Sequence, residues 1–220
     1  MKYCALQFIG QMQSYGSTIS FNTGDHLTED FPTRSSITGM ICRGLEKFGE
    51  QIDFLKQIQE HIGINIYCFK NENKMSDFQI LGCSNNLLMQ LKNFDNGSLK
   101  NKCFKKYFLV EHKFGIVLFS ENEILLDEII NAFDNPKYVL YYGRKNCIVN
   151  HNMFLGKFNN LNECFSCFEN NNLKKCVFEV TEKDNSSDIS RVLNDIPIKF
   201  GGKIEYLPRT VFIKYYTTGE

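Results

Sequence analysis

The stretch FPTRSSITGM, residues 31–40, marks the point at which the chain passes from a loop into a helix. Apolar or small residues recur behind Pro32 with the period of a helix, and Thr33 or Ser35 is placed to cap the first turn. The periodic positions are Ile37, Met40, Ile41, Gly44, Leu45 and Phe48. Because this helix connects the strands on either side of it, the stretch decides the order of helices and strands in the fold.

Segments with strand character lie on both sides of this helix. They are residues 2–9, 64–70, 76–83, 107–119 and 138–142. A second helical stretch runs through residues 52–58, and a capping box of Ser120 and Glu123 predicts a further helix up to residue 133. In chain order the elements predict an α+β fold, a ferredoxin-like (RRM-like) β-α-β-β-α-β domain, which is a common platform for RNA.

Two departures from this order suggest how the chain is divided. Residues 84–106 are polar and rich in lysine and predict an insertion in the middle hairpin. From about residue 149 onward, short strand-like runs alternate with polar loops. We therefore expect a ferredoxin-like RNA-binding domain at residues 1–148 and a small β-rich C-terminal subdomain at residues 149–220.

Composition is typical of a globular protein and points to no particular partner. The chain has 220 residues, a formal net charge of +0 and 43% hydrophobic residues, so only local clusters of charge can indicate a polyanionic ligand. No apolar run approaches the roughly 18 residues of a membrane span. Nine scattered cysteines favour reduced thiols, and hence a cytoplasmic location without membrane contact.

Three basic elements are candidates for binding nucleic acid. The first is the helix start, where free N–H groups beside Arg34 favour an anion; the alternative is a capped helix with a surface arginine. Gly39, in the first turns of this helix, predicts a close approach of another backbone. The second element is YYGRKN, residues 141–146, with aromatic rings beside two cations; the alternative is a solvated basic turn.

The third basic element is the lysine cluster of the insertion. Residues 98–113 carry five lysines against one acid, whereas residues 120–134 carry five acids. The five cations are Lys100, Lys102, Lys105, Lys106 and Lys113. The positive segment could hold a nucleic-acid backbone, and the negative segment should face water or a protein.

Signatures of enzymes are weak. The usual phosphate-binding glycine loops and the H-E-x-x-H zinc motif are missing from the sequence. Cys164 and Cys167 form a single C-x-x-C, which favours core thiols over zinc, so we expect neither a metal nor another cofactor. His112 beside Lys113 could cleave RNA as acid and cation, but neighbours on one strand point to opposite faces.

Four motifs in order resemble one known family. FIGQMQSYG at residues 8–16, FPTRSSITGM, YYGRKNCIVNHNMFLG at residues 141–156 and DIPIKF with YLPRTVF near the C-terminus are similar to the CasD-type subunits of type I-E CRISPR Cascade complexes. The resemblance implies a ferredoxin-like domain with a protruding thumb at the insertion. It also implies a subunit that binds the 5′ handle of the CRISPR guide RNA and contacts the terminal copy of the repeating backbone subunit. The large subunit, which recognises target DNA, would be a second protein partner, so contact with the DNA would be indirect.

Carried over to this sequence, the resemblance implies an RNA-binding set without catalytic residues. The set is Gln13, Tyr15, Gly16, Arg34, Ser35, Tyr142, Gly143, Arg144 and Lys145. Lys102, Lys105 and Lys106 join it on local charge alone. A related subtype processes guide RNA with a tyrosine, a lysine and a histidine, so a metal-independent endoribonuclease using Tyr107, His112 and Lys113 is the alternative.

Overall fold

The structure is a computed structural model that describes residues 1–16, 25–49, 51–71, 73–81, 102–183, 187–200 and 205–216. Four helices occur in this part of the chain: α1 Arg34–Gly44, α2 Ile52–His61, α3 Glu123–Asp134 and α4 Leu161–Asn170. The strands are β1 Lys2–Ile9, β2 Met12–Gln13, β3 Gly63–Lys70, β4 Lys74–Leu81, β5 Lys102–Val110, β6 Lys113–Ser120, β7 Phe154–Phe158, β8 Phe178–Thr181, β9 Ile189–Lys199 and β10 Glu205–Tyr215. No helix in the described ranges is both long and apolar enough to cross a membrane.

The strands form two antiparallel sheets. The larger sheet has the order β7-β1-β6-β3-β8-β10-β9, and the smaller has the order β2-β5-β4. The predicted α+β class is therefore confirmed. Strands β7 to β10 come from the part of the chain beyond residue 148 and hydrogen-bond in the same sheet as β1, β3 and β6, so the division into two domains stays a prediction.

The helices pack on both faces of the large sheet. On β1, Cys4, Leu6 and Phe8 belong to one buried cluster together with residues of α1, α2 and α3. Ala5, between them, belongs to a second cluster with Cys164 and Phe168 of α4. This alternation is what a strand with period two requires when both of its faces are covered.

Local signals account for the helix starts. Thr33 caps α1, because its hydroxyl accepts a hydrogen bond from the Ser36 amide at 3.2 Å. The helix at residues 123–134 is also confirmed, but its cap is Asn122 and not Ser120. Ser120 is still paired with Lys2 in the sheet, and its hydroxyl instead donates to the carbonyl of His61 at 2.8 Å.

The middle hairpin differs from the prediction. The segment at residues 107–119 is two strands, β5 and β6, separated by a turn in which Glu111 has a φ of 56°. Residues 102–106 of the predicted insertion lie in β5, which pairs with β4 along its length, while residues 84–101 lie outside the described part. Gly115 of β6 pairs in register with Gln7 of β1 and Tyr67 of β3.

Two elements beyond α3 were not predicted correctly. Residues 138–142 are not a strand and contain only an isolated bridge from Tyr141 to Ile148, because the edge of β1 is occupied by β7. Helix α4 lies within the part that was expected to contain strands and loops. Its start is set by Asn160, whose side chain accepts a hydrogen bond from the Glu163 amide at 2.9 Å.

Candidate nucleic-acid interface

A groove of about 420 Å³ runs between α1 and the loop at residues 141–146. Its lining is Ser14, Gly16, Thr33, Ser35, Ser36, Gly39, Met40, Arg43, Tyr141, Gly143, Arg144, Asn194, Phe200 and Tyr206. This set contains two arginines, several hydroxyls and three aromatic rings, but no carboxylate. Cations, hydroxyls and rings without acids are the chemistry that binds a single-stranded nucleic acid.

The loop that forms one wall of the groove depends on Gly143. Its φ is 82°, and a Cβ placed on it would lie 1.8 Å from the carbonyl oxygen of Ser14. The Ser14 amide in turn donates to the carbonyl of Tyr142 at 3.0 Å. Only glycine combines this left-handed conformation with so close a backbone contact, so Gly143 holds the loop against the segment that follows β1.

Arg144, next along this loop, is half-buried and partly unsatisfied. Its Nη2 donates to the carbonyl of His26 at 2.8 Å, and its guanidinium lies 5.3 Å from the centre of the Phe108 ring. Within the described residues, its buried Nη1 has no hydrogen-bond partner. Burial lowers the pKa of Arg144, yet a guanidinium stays protonated, so a positive charge with an unused donor sits in the groove wall.

The opposite wall is the exposed side of α1. Ser35 and Ser36 are half-buried, and the hydroxyl oxygens of Ser35 and Thr33 lie 3.1 Å apart. The role predicted for Gly39 is wrong: a Cβ there would meet only the Phe200 ring, at 3.9 Å. Gly39 keeps the groove open, and the close backbone approach occurs at Gly44, where a Cβ would lie 2.2 Å from the carbonyl oxygen of Ala132.

Arg34 is not available to an external anion, which corrects the expectation that it projects from the helix start. Its side chain is only 3% exposed. Nη1 bonds the Glu182 carboxylate at 2.5 Å, and Nη2 donates to the carbonyls of Ile58 and Ile62 at 3.0 and 2.8 Å. Arg34 thus binds the last carbonyls of α2, a role typical of a cation at a helix C-terminus.

The anion at the start of α1 belongs to the protein itself. The amide of Arg34 donates to Asp195 at 2.8 Å, and Arg209 holds the same carboxylate through Nε at 2.6 Å and Nη2 at 2.8 Å. Arg209 also bonds Glu182 at 2.9 Å. Arg34, Arg209, Glu182 and Asp195 therefore form a closed network. The anion that the sequence predicts at this helix start is a carboxylate of the protein itself.

Three further residues of the predicted set are interior. Tyr15 and Tyr142 are fully buried, and burial raises the pKa of both hydroxyls. The Tyr15 hydroxyl donates to Gln13, which is also buried, and the Gln13 amide donates to the carbonyl of His112. The Tyr142 hydroxyl bonds the backbone of Ile9. These side chains hold the walls of the groove in place and do not face it.

Four predicted residues do line the groove: Gly16, Ser35, Gly143 and Arg144. Gly16 bridges Thr28, and it is not one of the glycines with positive φ. Lys145 is exposed on the same loop but is not part of the lining.

The lysines of β5 lie on a hairpin that reaches the groove through His26. The His26 amide donates to the carbonyl of Lys105 at 2.7 Å, and the carbonyl of His26 accepts from both Tyr107 and Arg144. Lys105 is exposed, and Lys106 is half-buried with its Nζ 5.4 Å from the Phe104 ring centre. Lys102 is in the strand, but its side chain is outside the description.

Of the arginines and aromatic residues that line the groove, four were left out of the predicted RNA-binding set, namely Arg43, Tyr141, Phe200 and Tyr206. Arg43 follows Ser36 by seven residues and Gly39 by four, so helical spacing could have placed all three on one face of α1. Tyr141 stands within a quoted motif. Phe200 directly follows β9 and Tyr206 lies in β10, and no local signal reveals that these strands approach α1.

The residues considered for chemistry are held in structural roles. His112 is 1% exposed, and its ring nitrogens lie 3.0 Å from the carbonyl of Val110 and 2.8 Å from the amide oxygen of Asn71. Cys164 is a buried residue of α4. Among the described residues, no three potential ligands form a metal-binding group.

Comparison with known proteins agrees with this architecture. The family model of the CRISPR-associated protein Cas5 matches residues 3–212. A curated relative, the CRISPR system Cascade subunit CasD of Escherichia coli (strain K12), is 26% identical over 164 residues and covers 70% of each chain.

Two solved structures share the fold. One, titled CRISPR RNA-guided surveillance complex, has a TM-score of 0.69 at 15% identity, with 97% of this chain and 89% of the other covered. The other, titled Crystal structure of Cas protein, has a TM-score of 0.61 at 16% identity, with 97% and 93% covered. The family model spans nearly the whole length, and the chain therefore belongs to the CRISPR-associated Cas5 family.

Proposed function

We propose that this chain is a subunit of a type I-E Cascade surveillance complex and that it binds the 5′ handle of the guide RNA in the groove. Membership of the Cas5 family and the printed names of its relatives support the complex. The observation that carries the RNA site is the groove lining, which combines two arginines, hydroxyls and aromatic rings with no acid.

Arg144 is the residue to which we assign the main phosphate contact. Its Nη1 is a buried donor without a partner among the described residues, and a buried unsatisfied donor costs about 1–3 kcal/mol. A phosphate in the groove would supply the missing counter-charge, and a small movement of the guanidinium would bring Nη1 to a phosphate oxygen as its acceptor. The hydroxyls of Ser35 and Ser36 on the facing wall are suited to a neighbouring phosphate or to a ribose hydroxyl.

Arg43, Tyr141, Phe200 and Tyr206 suit the bases of the same strand. Every base has a face that stacks on an aromatic ring, so such rings bind single strands with little dependence on sequence. The exposed Lys105 and the half-buried Lys106 on β5 would extend the positive surface along the hairpin. We assign to this β4–β5 hairpin the role of the thumb that the family resemblance implies.

We also propose that the hairpin meets the neighbouring protein subunits, namely the terminal backbone subunit and the large subunit that recognises target DNA. On β4, Phe78 and Ile80 are 56% and 58% exposed, and they lie on the same face of the strand because their positions differ by two. Large apolar side chains left exposed side by side are typical of a protein contact. Assembly of this kind would take place in the cytoplasm.

The ferredoxin-like interpretation of the fold belongs to the same proposal. Strands β7, β1, β6 and β3 are neighbours in that order, with antiparallel pairing throughout. With β7 as the fourth strand, this order is the one that a β-α-β-β-α-β unit adopts. The groove then lies beside the first helix of such a unit.

We assign no catalytic role to the chain. The alternative endoribonuclease would use His112, but both of its ring nitrogens have hydrogen-bond partners inside the protein and the side chain is almost fully buried. Incubation of the full chain with labelled repeat RNA in a chelator tests this assignment. Specific cleavage that is lost in His112→Ala would overturn it.

RNA binding is tested by fluorescence anisotropy with a guide RNA carrying the 5′ handle. Arg144→Ala should weaken binding about 10-fold or more and reduce the slope of log K against log salt by about 0.7, the value for one phosphate contact on a single strand. Lys157→Ala is the matched control, because Lys157 is an occupied cation bound to Glu123 and Asp127. Equal affinity and equal slope in wild type and Arg144→Ala would refute the site.

A further inference from the structure

Next to the groove, the residues that follow α1 and residues 138–141 carry a second aromatic surface, with Arg43 of α1 between them. We call Arg43, Phe48, Tyr138 and Tyr141 the aromatic platform. Phe48 and Tyr138 are 50% and 41% exposed, and their ring centres lie 5.1 Å apart at an interplanar angle of 66°. Aromatic side chains are buried on average in a folded protein unless they contact a binding partner.

The platform is held rigidly although it is exposed. The guanidinium carbon of Arg43 lies 5.6 Å from the Tyr138 ring centre and 4.8 Å from that of Tyr141, and its Nε donates to the carbonyl of Val139 at 2.6 Å. The Tyr138 hydroxyl donates to Glu46 at 2.8 Å, which raises the pKa of that hydroxyl. The orientation of the Tyr138 ring is thus fixed before any ligand arrives.

The platform is continuous with the groove. Arg43 and Tyr141 line the groove. Tyr138 and Phe48 belong to the same aromatic platform but lie outside the groove lining. A strand whose phosphates lie against Arg144 and whose bases contact Tyr141 would pass next over Tyr138. The platform has one cation, Arg43, and one anion, Glu46, beside it, so its continuity with the groove, and not its charge, indicates the occupant.

We propose that the aromatic platform stacks the unpaired base of a nucleotide that leaves the groove, and that Tyr138 and Phe48 form the stacking surface. This inference rests on the proposed function of the groove. It adds a base-stacking site, outside the groove, for one further nucleotide of the single strand.

The experiment compares the full chain with the Phe48→Ala/Tyr138→Ala double variant in binding a 5′-handle guide RNA, by anisotropy at several salt concentrations. Stacking of one base is worth about 1–3 kcal/mol, so the double variant should lose about 5- to 140-fold in affinity. Its salt slope should stay that of the wild type, because no phosphate contact is lost. The single variant Tyr138→Phe keeps both rings and should bind the guide RNA with an affinity near the wild-type value.

A series of guide RNAs with one abasic nucleotide identifies the stacked base. One position should weaken binding to the wild type by the same factor and leave binding to the double variant unchanged. If the wild type binds no guide RNA, the proposed function fails. If it binds, and the double variant binds equally well, only the platform inference is refuted. Normal RNA binding with loss of assembly into the complex would assign the platform to a protein partner and also refute it.

Discussion

Replacing Arg34 with alanine should destabilise the fold strongly, although the sequence marks this residue for RNA. The change removes the 2.5 Å ion pair to Glu182 and the hydrogen bonds to the carbonyls of Ile58 and Ile62. Glu182 is 32% exposed and keeps its ion pair with Arg209, so the main cost is the loss of hydrogen bonds from a buried charged group, about 1.5–3 kcal/mol. For a chain of this length, each kcal/mol shifts the melting temperature by about 2–4 °C, so Arg34→Ala should melt roughly 3–12 °C lower.

Thermal unfolding followed by circular dichroism measures this effect, and Ser35→Ala is the matched control. Ser35 is the neighbouring residue on α1, but it lines the groove and shares only one hydroxyl contact with Thr33. Its loss should cost about 1 kcal/mol or less. If Arg34→Ala melts within 2 °C of the wild type and instead loses guide RNA selectively, the internal network is not the role of Arg34 and the argument is wrong.

Three further predictions concern the packing of glycines and the titration of one histidine. Gly44→Ala should destabilise the fold by about 1–3 kcal/mol, because its Cβ would lie 2.2 Å from the carbonyl oxygen of Ala132 in α3. Gly39→Ala should instead stabilise the fold by up to about 1 kcal/mol. Melting temperatures equal to that of the wild type would contradict both predictions. Gly143→Ala should lower guide-RNA affinity together with stability, since the added Cβ would lie 1.8 Å from the carbonyl oxygen of Ser14 and the loop would have to move; unchanged binding would contradict this role. Burial lowers the pKa of His151 below its ordinary 6.5, so protonation opposes folding. Its contribution to stability is therefore complete above pH 6.5 and is lost as the pH falls from there to the folded pKa; His151→Gln should show a smaller fall in urea-unfolding free energy between pH 7.5 and 5.5, and an identical fall would refute the assignment.

The elements that were predicted correctly depend on signals close together in the chain. Helix α1 has its cap at Thr33 and its apolar period within a dozen residues, and β1 covers the predicted residues 2–9. The walls of the groove were also found, since Ser35 and Arg144 belong to the quoted motifs and do face the same cavity.

What was mispredicted depends on contacts distant in sequence. The free Arg34 expected at the helix start is neutralised by Glu182 and hydrogen-bonded through its amide to Asp195, about 150 residues away. Neither acid has a local pattern that links it to α1. Residues 138–142 have the composition of a strand, but the edge of β1 that they would need is already paired with β7.

The aromatic residues of the site show the same limit. A tyrosine beside a glycine and a cation is typical of a stacking ring, and Tyr141 and Tyr142 satisfy that description equally. The structure separates them, because Tyr142 is buried against β1 and Tyr141 lines the groove.

The most direct test of the groove is photocrosslinking of a guide RNA that carries 4-thiouridine at single positions of the 5′ handle, followed by mass spectrometry of the full chain. The account predicts crosslinks to Tyr141, Phe200 or Tyr206, and their loss in Arg144→Ala at a salt concentration where the wild type still binds. Crosslinks confined to residues outside the groove, unaffected by Arg144→Ala, would contradict it.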